Sequence, residues 1–285
     1  MTKITKNTAF FHLIRFPNLV IIAVAQYLAA VYIVFKGDYF GDTLHRKDLF
    51  ILVLSTIFIA AGGNIINDYF DVKIDGVNKP KKLIIDNYIK RLTALVLHLI
   101  LTTIGILLGS LLSSKILLIC VLTSLFLWLY SYQFKRKPLV GNVLISLLTA
   151  TAVYFPALLN HHFNQLMLFF AVFAFFVSLI REIIKDIEDV KGDGLFACQT
   201  LPLLYGMRTT KRIVIGITLL FIGVLLGIGL LSNNTKLLLL CIGTIVALSW
   251  FIQKLLPADT KKEFSGLSRY CKWLMLVGVL SMMIL

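Results

Sequence analysis

The stretch "NIINDYFDVKID", residues 64–75, decides how this chain is read. It sets three aspartates, Asp68, Asp71 and Asp75, and two asparagines, Asn64 and Asn67, at the end of a long apolar run. Carboxylates in such a place are costly unless they are paired or hold an ion. A second stretch carries the same pattern. "KDIEDVKGD", residues 185–193, repeats D-x-x-D-x-x-x-D, and each aspartate stands 118 residues from its counterpart (68 and 186, 71 and 189, 75 and 193). Val72-Lys73 and Val190-Lys191 recur with them. Matched triplets of this kind predict two pseudo-symmetric halves.

The surrounding composition identifies the solvent. The 285 residues are 59% hydrophobic and only 15% charged, with a mean hydropathy of +0.90. Such a chain is expected to be an all-α polytopic membrane protein. A helix needs about 20 apolar residues to cross a hydrocarbon core roughly 30 Å thick. Nine runs meet that need, at 18–35, 49–66, 92–112, 115–132, 139–159, 165–181, 213–232, 235–252 and 270–285. With the N-terminus inside, 23 of the 28 Lys and Arg residues fall on the cytoplasmic side; Lys36, Arg46, Lys47, Lys115 and Lys236 fall opposite. Basic loops of that bias predict an N-in, C-out protein of the cytoplasmic membrane.

The same distribution accounts for the net charge of +14, because the positive charge is spread over five short segments. No nucleic-acid-binding motif accompanies it, so nucleic acid is not an expected partner and anionic membrane lipid is. Cys120, Cys198, Cys241 and Cys271 lie far apart without CxxC spacing, which argues against a disulfide framework or a zinc site. Met1 to Phe16 carries polar and basic residues ahead of a full-length span and does not read as a cleavable leader. His161 and His162 fall in a short turn with no carboxylate nearby, which speaks against a metal site there.

Of fourteen acidic residues, nine occupy the segments 67–91 and 181–212. On a helix, positions i, i+3 and i+7 fall within about 60° of one another. Each motif thus lines three carboxylates along one face of a helix end or its extension. Unscreened, they repel; divalent cations between them remove the difficulty. Hard oxygen donors suit Mg²⁺, which takes one or two carboxylates and leaves positions for water and phosphate. Two clusters imply two ions and an anionic ligand between them. A diphosphate fits, with Lys73, Lys79, Lys135, Arg136, Arg181, Lys185 and Lys191 on the same side. Acidic loops that only balance neighbouring lysines would explain one motif, but two with matched spacing are harder to explain that way.

These features resemble the UbiA superfamily of intramembrane prenyltransferases over nearly the whole chain. The superfamily's first motif, NDxxDxxxD, is matched by Asn67, Asp68, Asp71 and Asp75, and its second, DxxxD, by Asp189 and Asp193, with Asp186 one step earlier. "YSYQFKRKPLVGN" resembles its Tyr and basic site after helix four through Tyr130 or Tyr132 with Lys135 or Arg136. "IRFPN", with Arg15 and Asn18, is similar to its Arg-Pro-Asn region. The resemblance implies one domain over 1–285, with nine helices around a central cavity capped by aspartate-rich loops at about 67–91 and 181–212. It also implies Mg²⁺-dependent transfer of a polyprenyl group from its diphosphate to an acceptor.

Residue roles follow from the same resemblance. Asp68 and Asp71 are expected to hold one Mg²⁺, and Asp189 with Asp186 or Asp193 the other. Asp75 is a further metal ligand or orders the loop before a turn at Gly76. Asn67 holds a first-motif carboxylate or touches the diphosphate. Tyr132 and Lys135 are the expected catalytic partners, and Lys135 or Arg136 the diphosphate clamp. Lys73, Lys79, Lys185, Arg15 and Asn18 are expected against substrate. Tyr69, Phe70, Tyr130 and Tyr132 are candidates to face an allylic cation.

The motifs look most like the digeranylgeranylglyceryl phosphate synthase-like branch, whose acceptor is geranylgeranylglyceryl phosphate. Homogentisate, 4-hydroxybenzoate and dihydroxynaphthoate are the aromatic alternatives. One departure stands out: after "NKP" the chain continues as "KKLIIDNYIKR" in place of that branch's usual basic-Pro-x-Pro-Ser-Gly stretch. An ion or phosphate-ester transporter, or a non-catalytic lipid-binding protein, is the competing class. The acids lie at helix ends, away from mid-span, and both motifs are complete, which argues against either.

Overall fold

Several helices in this chain start where a side chain or a proline can deal with free backbone amides. The side chains of Ser113, Asn164 and Asn234 accept from amides of the helices they precede. Thr260 and Glu263 form a reciprocal capping box, and Pro17 and Pro202 sit in first turns. The computed structural model describes residues 6–80, 83–160, 163–196 and 198–285; His161 and His162 lie outside them.

The elements in order are α1 (Lys6–Leu13), α2 (Phe16–Ala29, continued by a π turn over Ala30–Val34), α3 (Phe40–Leu44) and α4 (Lys47–Asn78). Next come α5 (Arg91–Ser110), α6 (Ser114–Tyr132), α7 (Val140–Tyr154, continued by a 3₁₀ turn over Phe155–Leu159) and α8 (Gln165–Leu195). The chain ends with α9 (Leu201–Leu231), α10 (Thr235–Leu255) and α11 (Lys261–Ser281). Gly206, at φ 77°, breaks α9 near its start, a conformation that glycine tolerates.

Among the described residues, eight helical stretches are long and apolar enough to cross a membrane. The ninth expected span corresponds to α11, which begins nine residues before 270 and carries Lys261, Lys262, Glu263, Arg269 and Lys272. Two helices form the centre: 61% of the apolar stretch of α4 and 72% of that of α8 are buried, against 17–39% for the others. α4 packs against α2, α5, α6 and α8, while α8 packs against α4, α7, α9 and α11. α8 begins 118 residues after α4 (Gln165 against Lys47), the offset of the aspartates. The motifs therefore occupy the same register on two equivalent helices.

This corrects the expectation of aspartate-rich loops. α4 continues helically past its apolar run to Asn78, through Gly76 without a turn, and α8 continues to Leu195. All six aspartates are helical residues. The i, i+3, i+7 spacing is itself a helical signal, and it holds beyond the apolar segment.

Between helices, polar side chains and small residues supply the contacts that the hydrophobic effect does not give within lipid. The fully buried Gln26 on α2 donates to Thr56 Oγ1 on α4 at 3.1 Å and to Ala152 O on α7 at 2.9 Å. Ser55 Oγ donates to Gly105 O at 2.7 Å, joining α4 to α5. A Cβ at Gly105 would lie 2.6 Å from Ile59 Cγ1 and 2.9 Å from Ser55 O, so backbone would have to move. Gly105→Val should therefore cost about 1–3 kcal/mol, read as a lowered thermal midpoint in detergent; an unchanged midpoint would show that this contact is not tight.

Candidate active site

The two central helices end side by side, and three asparagines fix how they meet their neighbours. Asn78, the last residue of α4, donates to Asp189 O at 3.0 Å and accepts from Gly192 N at 2.9 Å. A Cβ at Gly192 would collide with the Asn78 amide, so the close approach needs glycine there. Asn142 on α7 donates to Asp186 Oδ2 at 2.8 Å. Asn64 donates to Ile14 O at 2.9 Å and anchors the joint between α1 and α2. At that joint Arg15 adopts a left-handed backbone, φ 55° and ψ 49°, a strained state for a non-glycine residue held by its surroundings.

Below these contacts lies a cavity of about 1400 Å³. Single-ligand sites typically span about 300–1,000 Å³, so there is room for more than one lipid substrate. Its mouth is ionic and its body apolar, with Ile59, Ile119, Leu127, Leu148, Phe170 and Phe173 among the walls. Asp68, Asp71, Asp75, Asp186, Asp189 and Asp193 all line it, as do Arg15, Asn18, Asn67, Lys79, Lys135 and Lys185. Thus twelve of the fifteen residues expected above to bind metal or substrate or to take part in catalysis come together, from segments over 100 residues apart in sequence.

Four of the six carboxylates, those of Asp68, Asp71, Asp186 and Asp189, have a polar partner. Arg15 Nη2 meets Asp68 Oδ1 at 2.7 Å and Lys79 Nζ meets Asp189 Oδ2 at 2.6 Å. Lys135 is paired with Asp71 in the most enclosed of these contacts. Burial alone would lower the Lys79 ammonium's pKa, but Asp189, together with Asp75 and Glu188, outweighs it and the net value lies above that of an ordinary lysine. Burial opposes the Arg15 charge in the same way, and Asp68, with smaller help from Asp75, reverses the balance upward. Lys135 owes its position to Gly141, whose Cβ, if present, would lie 2.7 Å from Lys135 Cα.

Three expected residues lie elsewhere. Tyr132 is 53% exposed and stacks on Trp128 with centroids 5.3 Å apart; Tyr130, half-buried, lines the cavity in its place. Two residues along a helix is a rotation of about 200°, so only one of the pair can face inward. Lys73 is exposed outside the cavity for the same reason, two positions beyond Asp71. Arg136 is exposed, and its carbonyl accepts from Gln199 N at 2.8 Å. Of the ring candidates, Tyr69 and Phe70 pack edge to face at 5.4 Å off the cavity, which leaves Tyr130. The residues not foreseen are Asn78, Asn142, Gly141 and Lys272. Within the unusual segment after Lys79, Ile84 and Ile85 are buried against Ala9, Leu13 and Ile14 of α1 and the joint after it, and Tyr88 lines the cavity.

The donor set suits Mg²⁺. Among the described residues no three acidic, histidine or cysteine groups converge on one point. Mg²⁺ does not need that, since it binds through one or two carboxylates with water and phosphate completing its shell. Asp189 Oδ1 is buried without a hydrogen-bond partner among the described residues, an oxygen still free to ligate.

Comparison with known proteins agrees with this geometry. The UbiA prenyltransferase family matches residues 18–276. A digeranylgeranylglyceryl phosphate synthase of Methanosphaera stadtmanae is 34% identical over 229 residues, covering 79% of this chain and 83% of that protein. A solved structure from work on digeranylgeranylglyceryl phosphate synthase in membranes superposes with a TM-score of 0.70 at 25% identity, covering 98% of both chains. A UbiA homologue from Archaeoglobus fulgidus bound to GPP and Mg²⁺ shares the fold, with a TM-score of 0.67 at 12% identity over 97% of this chain and all of that one. With an all-helical fold, paired aspartate helices and a lipid-sized cavity in place, this chain is a prenyltransferase of the UbiA family.

Proposed function

We propose that this chain transfers a geranylgeranyl group from its diphosphate to the free hydroxyl of geranylgeranylglyceryl phosphate, with two Mg²⁺ ions. The observation that carries this assignment is the convergence of both aspartate triplets on one cavity, ionic at its mouth and apolar below. The similarity to the Methanosphaera stadtmanae protein supports the acceptor, and the Archaeoglobus fulgidus homologue supports a prenyl diphosphate with Mg²⁺. The single domain spans the chain. Its N-terminus and the aspartate-bearing helix ends face the cytoplasm, as the basic residues suggest.

In this assignment Asp68 and Asp71 would hold one ion, and Asp189 with Asp186 or Asp193 the other. Bound Mg²⁺ supplies Lewis acidity to the departing diphosphate. Lys79 and Lys135, now paired with aspartates, turn toward the phosphate oxygens and hold the leaving group in place. Asn67 and Asn18 line the entry beside them. The apolar walls keep water from the allylic carbon as its bond to oxygen breaks. The Tyr130 ring faces the positive charge that develops there. The acceptor hydroxyl then forms the new C–O bond and releases its proton.

Purified protein in detergent, given labelled geranylgeranyl diphosphate with Mg²⁺, should prenylate geranylgeranylglyceryl phosphate in preference to homogentisate, 4-hydroxybenzoate or dihydroxynaphthoate. EDTA, Asp68→Ala or Asp189→Ala should each reduce the rate by at least about a hundredfold. A product formed only from an aromatic acceptor would replace the lipid assignment, and no consumption of diphosphate would end it.

The corrected positions give a separate check. Lys135→Gln should lower kcat by roughly a hundredfold, the scale of one lost transition-state donor. Lys73→Gln and Tyr132→Phe, both off the cavity, should stay within about twofold of wild type. Equal losses at Lys73 and Lys135 would contradict the inward placement of Lys135.

A further inference from the structure

The rim of the cavity has two chemically different sides. On one, Asp71, Asp75, Asp189 and Asp193 meet Lys79 and Lys135. On the other, Arg181 and Lys185 from α8 share one carboxylate, Glu182, and Lys272 from α11 stands near Arg181. Glu182 accepts from Arg181 Nη1 at 2.9 Å and from Lys185 Nζ at 2.9 and 3.1 Å. With Glu182 shared between Arg181 and Lys185, and no carboxylate paired with Lys272 among the described residues, this side carries an excess of positive charge. Arg181 and Lys272 lie close enough to repel each other. Among the described residues Lys272 Nζ has only a neutral acceptor, Asn18 Oδ1 at 2.8 Å. Arg181 Nε is buried with no hydrogen-bond partner among the described residues.

Below this basic side, the two helices continue as an apolar track. α11 presents Met275, Val279 and Met282 to the cavity, spaced 3, 7 and 10 residues beyond Lys272 and so on one helical face. α8 presents Ala174 and Phe170 below Arg181 in the same manner. Gly278 lets α11 approach Phe173 where a Cβ would collide. A cationic head and a lipid-lined tail, built from two packed helices, match a ligand of the opposite charge and the same shape.

We propose that Arg181 and Lys272 form a metal-free subsite for the phosphomonoester of the acceptor lipid, whose isoprenoid tail follows the track between α8 and α11. This rests on the prenyl transfer proposed above and adds where and how its acceptor is recognised. A phosphomonoester dianion cancels the surplus charge, and guanidinium offers it paired donors. A neutral phenol would leave these cations uncompensated at an apolar boundary, which is costly. A carboxylate would cancel half as much. The donor's diphosphate belongs on the acidic side, where divalent ions mediate its binding.

Direct binding in detergent separates the two sides. Full-length protein should bind geranylgeranylglyceryl phosphate in EDTA, whereas geranylgeranyl diphosphate should need Mg²⁺. Arg181→Gln and Lys272→Gln should each weaken acceptor binding roughly ten- to hundredfold, the scale of a charge-assisted hydrogen bond. The same variants should keep Mg²⁺-dependent donor binding within about twofold, which also reports that they are folded. Phosphate-free geranylgeranylglycerol should bind weakly and equally to all three proteins. Acceptor binding that needs Mg²⁺, that ignores both substitutions, or that falls no further than donor binding would overturn the subsite while leaving the prenyltransferase intact. Tighter binding of 4-hydroxybenzoate than of the phospholipid would overturn its phosphate selectivity. A wild-type protein that binds neither lipid would overturn the proposed reaction as well.

Discussion

Six carboxylates stand where apolar helices leave the hydrocarbon layer, and compensating them governs how the helices pack. Charges taken from water need partners, and removing one partner from a buried pair typically costs about 3–5 kcal/mol. Here the partners come from other parts of the chain. Lys79 leaves the end of α4 and reaches Asp189 on α8, while Lys135, between α6 and α7, closes on Asp71 of α4. Arg15, before α2, reaches Asp68. Each pair is thus also a strap between elements, and the cavity mouth is defined by which straps are drawn.

The apolar part of the bundle meets a different demand. Lipid gives helices little reason to associate by hydrophobicity alone, so close contact and internal hydrogen bonds must hold them. Gln26, with its amide reaching α4 and α7, and Ser55 against Gly105 do so at depth. These contacts leave a central space unfilled, and its walls are side chains that ask nothing of an isoprenoid tail. The division between a polar strap layer and an apolar packing layer is what makes one cavity serve amphipathic ligands.

Much of this was legible in the sequence, because its periodicities are local. The apolar runs marked the helices, and the aspartate spacing marked a shared face and a shared fold of the chain. What escaped was contact between distant segments and helical phase near element ends. Asn142 and Asn78 look like ordinary polar residues until Asp186 and Gly192 are brought beside them from 44 and 114 positions away. Tyr130 and Tyr132, or Lys73 and Lys79, have the same composition and differ only in rotation about the helix. The aspartate spacing already placed the motif on a helix end or its extension; followed through to Asn78, the same phase puts Lys73 on the outer face. α11 was placed late because its charged first half hid it from an apolar scan.

The carriage of all six aspartates on continuous helices also dictates which changes in length the chain can absorb. Inserting one residue between Lys47 and Asp68, or between Gln165 and Asp186, turns everything beyond it by about 100° and advances it by about 1.5 Å. An entire triplet would then leave the cavity at once, although no catalytic side chain had been altered. The described part of the connection from Lys79 to Arg91 is held differently, by Ile84 and Ile85 against α1 and the joint that follows it and by Tyr88 at the cavity, with no long helix to carry a phase error into the triplets. Length and composition can drift there while the site stays in phase, which is where this chain departs from the pattern of its branch.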